Sequence, residues 1–171
     1  MPTAIDERAI DERVTHRQFL DCLEGFYRNI GHELPYFDTD PGSPLAVDVD
    51  VDGVQFSVGY DPSAGEARLF VYGRFGSVQP NDAWSSLRPL LEGAAALARE
   101  HNATYCLDPV THEVAYYARC DPRTVDAAWL QEELVRVARL AVRWRTDPTQ
   151  TGSASAASAQ QGSPGQFQNF A

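Results

Sequence analysis

The sequence has little of the positive charge that nucleic acids and anionic membranes require. It contains no lysine, its 14 basic residues are all arginine, and its formal net charge at pH 7 is -10, with a pI of about 4.7. Nucleic acids and anionic lipids bind basic protein surfaces. The composition therefore argues against both classes of partner.

Cysteine is scarce, and long apolar runs are absent. Cys22, Cys106 and Cys120 show no C-x-x-C spacing, and an odd count gives no complete disulfide framework. A membrane-spanning helix needs about 18 consecutive apolar residues, and no such run occurs. The charged N-terminal residues do not resemble a secretory signal. These absences favour a cytoplasmic protein, and the 43% apolar content is sufficient for a folded core.

One domain is expected between a leader and a tail. Residues 1–14 contain a tandem repeat of AIDER. Because five residues are not a helical period, we interpret this segment as a flexible or frayed helical leader. Residues 15–145 are the predicted domain. Residues 146–171 are rich in Ser, Ala, Gly and Gln and are predicted to be disordered. In this tail, Phe167 and Phe170 are either a short docking motif or residues without a specific role.

Helical spacing of apolar residues predicts three helices. The first begins at Thr15 with a T-x-x-Q capping box and ends near Gly31. Asn81 or Asp82 caps the second, and Pro89 either kinks this helix or marks its true start. The third follows the turn DPRT.

Charge placement supports the third helix. Glu132 and Arg136 have the i,i+4 spacing of an ion pair. Arg139, Arg143 and Arg145 lie late in the helix, where basic residues suit its dipole.

Alternation of apolar and polar residues predicts five antiparallel strands, the first three as a meander. A two-residue DG sequence forms the first turn. The element order is therefore helix, three strands, helix, two strands, helix. The predicted strands cover residues 47–51, 54–60, 67–72, 104–107 and 114–119.

The stretch VDVDVDGVQ, residues 47–55, allows two interpretations. Its aspartates match the start of a calcium loop, D-x-D-x-D-G, or the solvent face of a strand. A calcium loop starting at Asp48 needs a bidentate Glu at its twelfth position, where Gly59 stands. Because the intervening valines alternate at the period of a strand, we interpret the stretch as the first strand.

No other pattern indicates a catalytic, cofactor or metal site. A zinc site would require Cys106, Cys120 and one of the scattered histidines to converge. Cys106 with His101 or His112 would form a hydrolase pair, yet Cys106 lies in a predicted strand, where a thiol is expected to be buried and inert. The glycine-containing stretches fit neither the phosphate loop nor the dinucleotide fingerprint. A catalytic carboxylate pair stays open, because no acidic residue is singled out.

Large apolar residues exceed the needs of a one-sided core. Tyr116 and Tyr117 are adjacent on a strand and therefore point to opposite faces, which places one of them at a second surface. Trp84 and Trp129 lie near helix starts, where full burial is harder. This excess favours a binding partner or a dimer.

Four stretches resemble the class I chaperones of bacterial type III secretion, the Tir-chaperone-like (CesT-like) family. FLDCLEGFYRNIG resembles the family's first helix, and VDVDGVQFSVGYDPSAGEARLFVYGRFG resembles its three-strand meander. LRPLLEGAAALAREHNATYCLDPVTHEVAYYARC resembles its second helix with two strands, and LQEELVRVARLAVRW resembles its closing helix. The likeness covers roughly residues 15 to 145. It implies an α+β two-layer sandwich with a twisted antiparallel sheet, no catalysis and no cofactor.

The resemblance also implies partners and surfaces. Such a protein is a cytoplasmic homodimer that binds an extended N-terminal segment of secreted effectors and keeps it export-competent; the secretion ATPase is a further candidate partner. Pro89 departs from this pattern, because it would distort the dimer helix. The first helix and the strands would form the cargo groove, with candidate residues Phe19, Leu23, Phe26, Tyr27, Val71 and Tyr105. The second helix and a nearby strand would form a two-fold interface, with candidate residues Trp84, Leu87, Leu91 and Tyr116.

Two alternatives stay open. The same fold could be a non-catalytic regulatory or adaptor module that binds a folded protein. A small enzyme could instead use Cys106 or a carboxylate as its reactive group, which predicts a cleft of ionisable residues with shifted pKa values.

Overall fold

The described residues of the structure, a computed structural model, include three α-helices. The structure describes residues 4–37, 40–65, 68–78, 80–149 and 167–169. A short 3-10 helix, Pro80–Asp82, precedes the second helix. The helices are α1 (Ala4–Asn29), α2 (Ala83–His101) and α3 (Ala127–Thr146).

Six strands form one antiparallel sheet among the described residues. Their order across the sheet is β4-β5-β3-β2-β1-β6. The predicted α+β class and element order are confirmed, with β6 as an addition. The strands are β1 (Leu45–Val51), β2 (Val54–Tyr60), β3 (Leu69–Ser77), β4 (Ala103–Leu107), β5 (Glu113–Cys120) and β6 (Phe167–Asn169).

Helices α1 and α3 cover one face of the sheet. α3 contacts β1, β2 and β3, and α1 packs along α3. Val47, Val49 and Val51 of β1 are buried on the covered face, whereas Asp48 is exposed and Asp50 half-buried. The strand interpretation of the VDVDVDGVQ stretch is therefore correct, because alternate side chains point to opposite faces.

The predicted DG turn joins β1 to β2. Asp52 and Gly53 have φ values of 52° and 76°, the left-handed values that a two-residue type I′ turn requires. Val51 lies directly opposite Val54. The turn therefore sets the register of the first hairpin.

Helix α1 begins at Ala4 rather than at the predicted Thr15. Thr15 is not a cap, because its hydroxyl donates to the carbonyl of Asp11 at 2.8 Å inside the helix. Nη1 of the buried Arg68 lies 3.1 Å from the Asp11 carboxylate. The same nitrogen donates to Oγ1 of Thr15 at 2.5 Å. The capping prediction was wrong because these tertiary contacts stabilise the turn before Thr15, and the predicted leader is helical from Ala4.

Strand β3 extends to Ser77 rather than ending at Tyr72. Gly73 lies within it, and a Cβ at that position would come within 2.6 Å of the Phe56 ring. Gly73 therefore leaves room within the strand for a neighbouring aromatic ring.

Helix α2 runs through Pro89 without a break. The alternative that the helix begins at Pro89 is therefore wrong. Pro89 is buried and has no N–H to donate to the carbonyl of Ser85. The helix ends at His101, and its C-cap residue Asn102 has a left-handed φ of 47°.

Three residues of the tail form a strand that the composition did not indicate. β6 pairs with β1, although the composition of residues 146–171 predicts disorder. The cause is a tertiary contact, because β1 offers backbone groups on its outer edge with which a short segment can pair. Residues 150–166 and Phe170 lie outside the described part of the chain.

Candidate functional site

Helix α2 carries an exposed apolar face, which we call the α2 stripe. Trp84 is 71% exposed and Leu91 57% exposed, whereas Leu87 is half-buried. A different face of the helix contributes Leu90 and Leu97 to the core. Because the helix is apolar on two faces and the core covers only one, the stripe is a candidate interface. The α2 stripe consists of Trp84, Leu87, Leu91, Ala95 and Ala98.

Strand β4, which contacts α2, forms one outer edge of the sheet. Within the described ranges, no strand pairs with its outer side. Leu107 at its end is 50% exposed, and Val110 in the following turn is 84% exposed. This end of the molecule therefore combines exposed apolar side chains with unpaired backbone groups.

The sheet face opposite α1 and α3, which we call the open face, carries half-buried aromatic residues. They are Phe70 and Tyr72 on β3 and Tyr117 on β5. The rings of Phe70 and Tyr117 lie 6.4 Å apart. The Phe70 ring covers Gly59, where any Cβ would collide with it. Nε of Arg119 donates to the Tyr117 hydroxyl at 2.8 Å. Extended backbone and aromatic rings together suit contact with another polypeptide.

Asp48 and Asp50 on β1, which we call the acidic row, accept hydrogen bonds from neighbouring groups and are not arranged around a metal. Ser57 Oγ donates to Asp48 at 2.5 Å, and the Gly53 amide donates to Asp50 at 2.9 Å. Among the described residues, no three His, Cys, Asp or Glu side chains are grouped so that they could hold a metal ion. The structure therefore gives neither the calcium loop nor the zinc site any support.

An ion pair within α3 lies against Tyr116 of β5. Arg136 donates from Nε and Nη2 to the carboxylate of Glu133 at 2.8 and 2.7 Å. The Tyr116 hydroxyl also donates to Glu133, and the guanidinium lies 5.7 Å from the centre of the Tyr116 ring. The predicted pairing of Arg136 with Glu132 was wrong, because Glu132 faces solvent and Glu133 faces the core.

The pKa values of this cluster indicate a structural role. Burial alone would raise the pKa of Glu133, but the hydrogen bonds and charge of Arg136, with the Tyr116 hydroxyl, hold it below its usual value. Burial, followed by the Glu133 charge, raises the pKa of Tyr116. At neutral pH the carboxylate is ionised and the phenol protonated, so neither group is poised to exchange a proton.

The cysteine thiols are not activated. Burial raises the pKa of Cys22 to about 12 and that of Cys120 to about 11. Cys106 is exposed, contrary to our expectation, because β4 is an edge strand. Partial desolvation of its sulfur by neighbouring atoms, and then the charge of Asp108, still raise the pKa of Cys106. A nucleophilic cysteine needs a lowered pKa, so the Cys106 hypothesis gains no support.

The predicted cargo-binding residues lie mostly in the core. Tyr105 on β4 is half-buried, and its ring lies 5.4 Å from that of Phe75. A side chain without exposed area contacts a partner only after a rearrangement, so the role of these residues in cargo binding stays a prediction. The five with at most 1% exposed area are Phe19, Leu23, Phe26, Tyr27 and Val71.

The predicted dimer residues divide into two groups. Trp84, Leu87 and Leu91 lie together on the α2 stripe. Tyr116 is fully buried beneath α3 and is separate from them. Tyr117 points instead to the open face, so the prediction that the adjacent tyrosines occupy opposite faces is correct.

Sequence reasoning missed the open face and one arginine. Phe70 and Tyr72 flank Val71 on β3, and strand alternation alone could have placed them opposite the core. Arg145 was assigned only to the helix dipole. It donates hydrogen bonds to three backbone carbonyls of distant strands and turns, a contact without a local sequence signal.

Solved structures that share this fold include the following three. The first is titled "Structure of the HopA1-SchA Chaperone-Effector Complex" (16% identity, TM-score 0.56, covering 78% of this chain and 97% of that chain). The second is the "Crystal Structure of the ExsC-ExsE Complex" (17% identity, TM-score 0.56, covering 82% and 98%). The third is the Yersinia pestis type III secretion chaperone SycH in complex with a stable fragment of YscM2 (18% identity, TM-score 0.51, covering 74% and 98%). At these identities the likeness concerns the fold alone.

A family model also matches the chain by sequence. The model of the Tir chaperone protein (CesT) family matches residues 60–145. The chain has no significant match among curated protein sequences. None of the described helices is long and apolar enough to cross a membrane.

Proposed function

The chain belongs to the Tir chaperone protein (CesT) family, and we propose that it is a type III secretion chaperone that binds an extended segment of secreted effector proteins. Family membership is the observation that carries this proposal. The similar folds whose titles describe chaperone–effector and related complexes support it.

The surfaces of the molecule suit an extended ligand. An extended segment hydrogen-bonds to the edge of a sheet through its backbone and places alternate side chains against the sheet surface. The chain offers strand edges at β4 and β1 and an aromatic open face between them. Backbone pairing tolerates different sequences, which suits a protein that binds more than one effector.

We propose further that the protein is a homodimer formed through the α2 stripe. Two copies related by a two-fold axis bring identical faces together, so each Trp84 and Leu91 would be covered by the partner copy. The uninterrupted course of α2 through Pro89 supports this use of the helix.

The proposal includes no catalysis and a cytoplasmic location. The raised thiol pKa values and the structural role of the Glu133 cluster support the proposed absence of catalysis. The net charge of -10 keeps such a carrier soluble while it holds apolar cargo. Contact with the secretion ATPase rests on the family resemblance alone.

Co-expression tests the proposed function. The tagged chain is co-expressed with secreted proteins encoded beside it, purified, and treated with limiting protease. We expect an N-terminal segment of an effector to stay bound, while the rest of the effector keeps the cleavage pattern of the free protein. Failure to recover any effector contradicts the proposal. Recovery of only a compact, folded domain supports the adaptor alternative instead.

A further inference from the structure

The outer edge of β1 carries a segment from the far end of the same chain. β6 pairs with β1 in antiparallel register, with Gln168 opposite Asp50. Residues 150–166 lie between α3 and this strand in the sequence. The pairing covers residues 49–51, whereas β1 runs from residue 45 to residue 51 and β2 pairs with its whole length.

The β1–β2 turn determines which backbone groups of β1 face outwards. Val51 and Val54 close the two-residue turn and therefore point their N–H and C=O groups at each other. These groups alternate in direction along a strand, so those of Val49 also point to β2, whereas those of Asp50 point to β6. The Asp50 amide is thus a specific reporter of β6.

We propose that residues 167–169 act as an internal strand that covers part of the β1 edge and that an incoming extended segment displaces. The inference rests on the proposed function, which already offers the β1 edge to an extended ligand, and adds to it the competitor and the chemistry of the ligand.

The short length of β6 makes displacement feasible. It uses three residues of an edge that offers seven. An incoming segment that pairs along the full edge forms more backbone hydrogen bonds than β6 does. The covalent link raises the local concentration of β6 to the order of millimolar, so β6 excludes short or poorly matched segments while yielding to long ones.

The acidic row sets the chemistry of the ligand. Directly paired residues of neighbouring strands share a face of the sheet. A residue opposite Asp50 therefore lies beside that carboxylate, with Asp48 two positions along. The internal strand has an uncharged glutamine at this position. We infer that the site accepts segments with an uncharged or basic residue there and rejects acidic ones.

Amide exchange in the full-length chain tests the internal strand. Gln168→Pro removes the N–H that pairs with β1, and Gln161→Pro is the matched control in the same tail. We expect the Asp50 amide to exchange at least about tenfold faster in Gln168→Pro, with the Val49 and Val51 amides changed less than about twofold. Unchanged Asp50 exchange, or equal acceleration in the control, overturns the proposal.

Binding of a defined peptide tests the site. The probe is a fluorescein-labelled peptide of residues 162–171, GSPGQFQNFA, titrated by fluorescence anisotropy into the wild-type and Gln168→Pro chains. We expect at least about tenfold tighter binding to Gln168→Pro, because the internal competitor is weakened. Equal binding to both chains, or binding to neither, contradicts the proposal.

Charge variants of the peptide test the ligand chemistry. At low ionic strength, a peptide with Gln168→Arg should bind the Gln168→Pro chain more tightly than the native peptide, and one with Gln168→Glu more weakly. The difference should shrink in 0.5 M salt, where the Debye length is only about 4 Å. If the affinities do not depend on the charge of the peptide, the inferred ligand chemistry is wrong.

These measurements use no effector, so they can fail while the co-expression experiment succeeds. A recovered effector complex shows whether β6 leaves β1 when an effector binds. If the effector binds and the Gln168 amide of β6 exchanges as slowly in the complex as in the free chain, the proposed function stands and the displacement is wrong.

Discussion

Arg145, near the end of α3, donates three hydrogen bonds to backbone carbonyls. Its Nε reaches Phe75 at 2.6 Å, Nη1 reaches Gly53 at 2.8 Å and Nη2 reaches Arg74 at 2.9 Å. One side chain therefore connects the end of α3 to the β1–β2 turn and to β3. A planar guanidinium supplies this fan of donors, which a lysine ammonium does not.

Replacement of Arg145 by alanine should lower the free energy of unfolding by about 2 kcal/mol, because three carbonyls lose a charged donor. Urea unfolding monitored by tryptophan fluorescence measures the change. Arg143→Ala removes the same charge from an exposed position on the same turn and should cost less than about 0.5 kcal/mol. Equal losses in the two variants would show that only charge at the helix end matters.

Glu133 should give the protein a component of stability that depends on pH. Its pKa is lower in the folded state than in the unfolded chain, so its contribution is present above the unfolded pKa and is lost as pH falls through the folded pKa. Glu133→Gln should therefore cost about 2 kcal/mol at pH 7, with the difference from wild type shrinking in acid. Unfolding curves at pH 7 and in acid measure it. Glu132→Gln, on the exposed neighbour, should show no such difference.

At the level of elements, α2 is apolar on two faces, and the core of the protein covers only one of them. One set of its apolar residues enters the core, and the α2 stripe does not. Sequence periodicity predicts that the helix is amphipathic, but only the packing of α2 against β4 shows which apolar residues stay exposed. The same applies to β1, whose alternation predicts a strand without indicating what pairs with its outer edge.

Leu91→Arg should dissociate the proposed homodimer, because it places a charge at the centre of the α2 stripe. We expect the dissociation constant to rise at least about 30-fold, as for loss of a central interface residue. Size-exclusion chromatography with light scattering measures the mass. Val142→Arg, on an exposed apolar position of α3, is the control and should leave the mass unchanged. A wild-type chain that is monomeric at all concentrations contradicts the dimer proposal.

At the level of the whole molecule, the chain covers one face of its sheet and leaves the other available. α1, α2 and α3 bury the apolar alternate residues of the strands, while the open face combines Phe70, Tyr72 and Tyr117 with an acidic row. Negative charge beside half-buried aromatic rings suits the proposed carrier of extended chains. Effector binding, dimerisation through the α2 stripe and displacement of β6 from the β1 edge are three separate proposals about different surfaces of this molecule.

The sequence by itself determined the order and type of the elements from residue 15 to residue 146, the β1–β2 turn and the strand nature of the aspartate repeat. These follow from local periodicity and turn chemistry, which act over a few residues. Only the tertiary structure decided that Thr15 is internal to a helix, that Arg136 pairs with Glu133, that Arg145 holds three strand carbonyls and that residues 167–169 join the sheet. Each of these depends on groups far apart in the chain, and no local pattern records which distant partner a side chain or strand edge will meet.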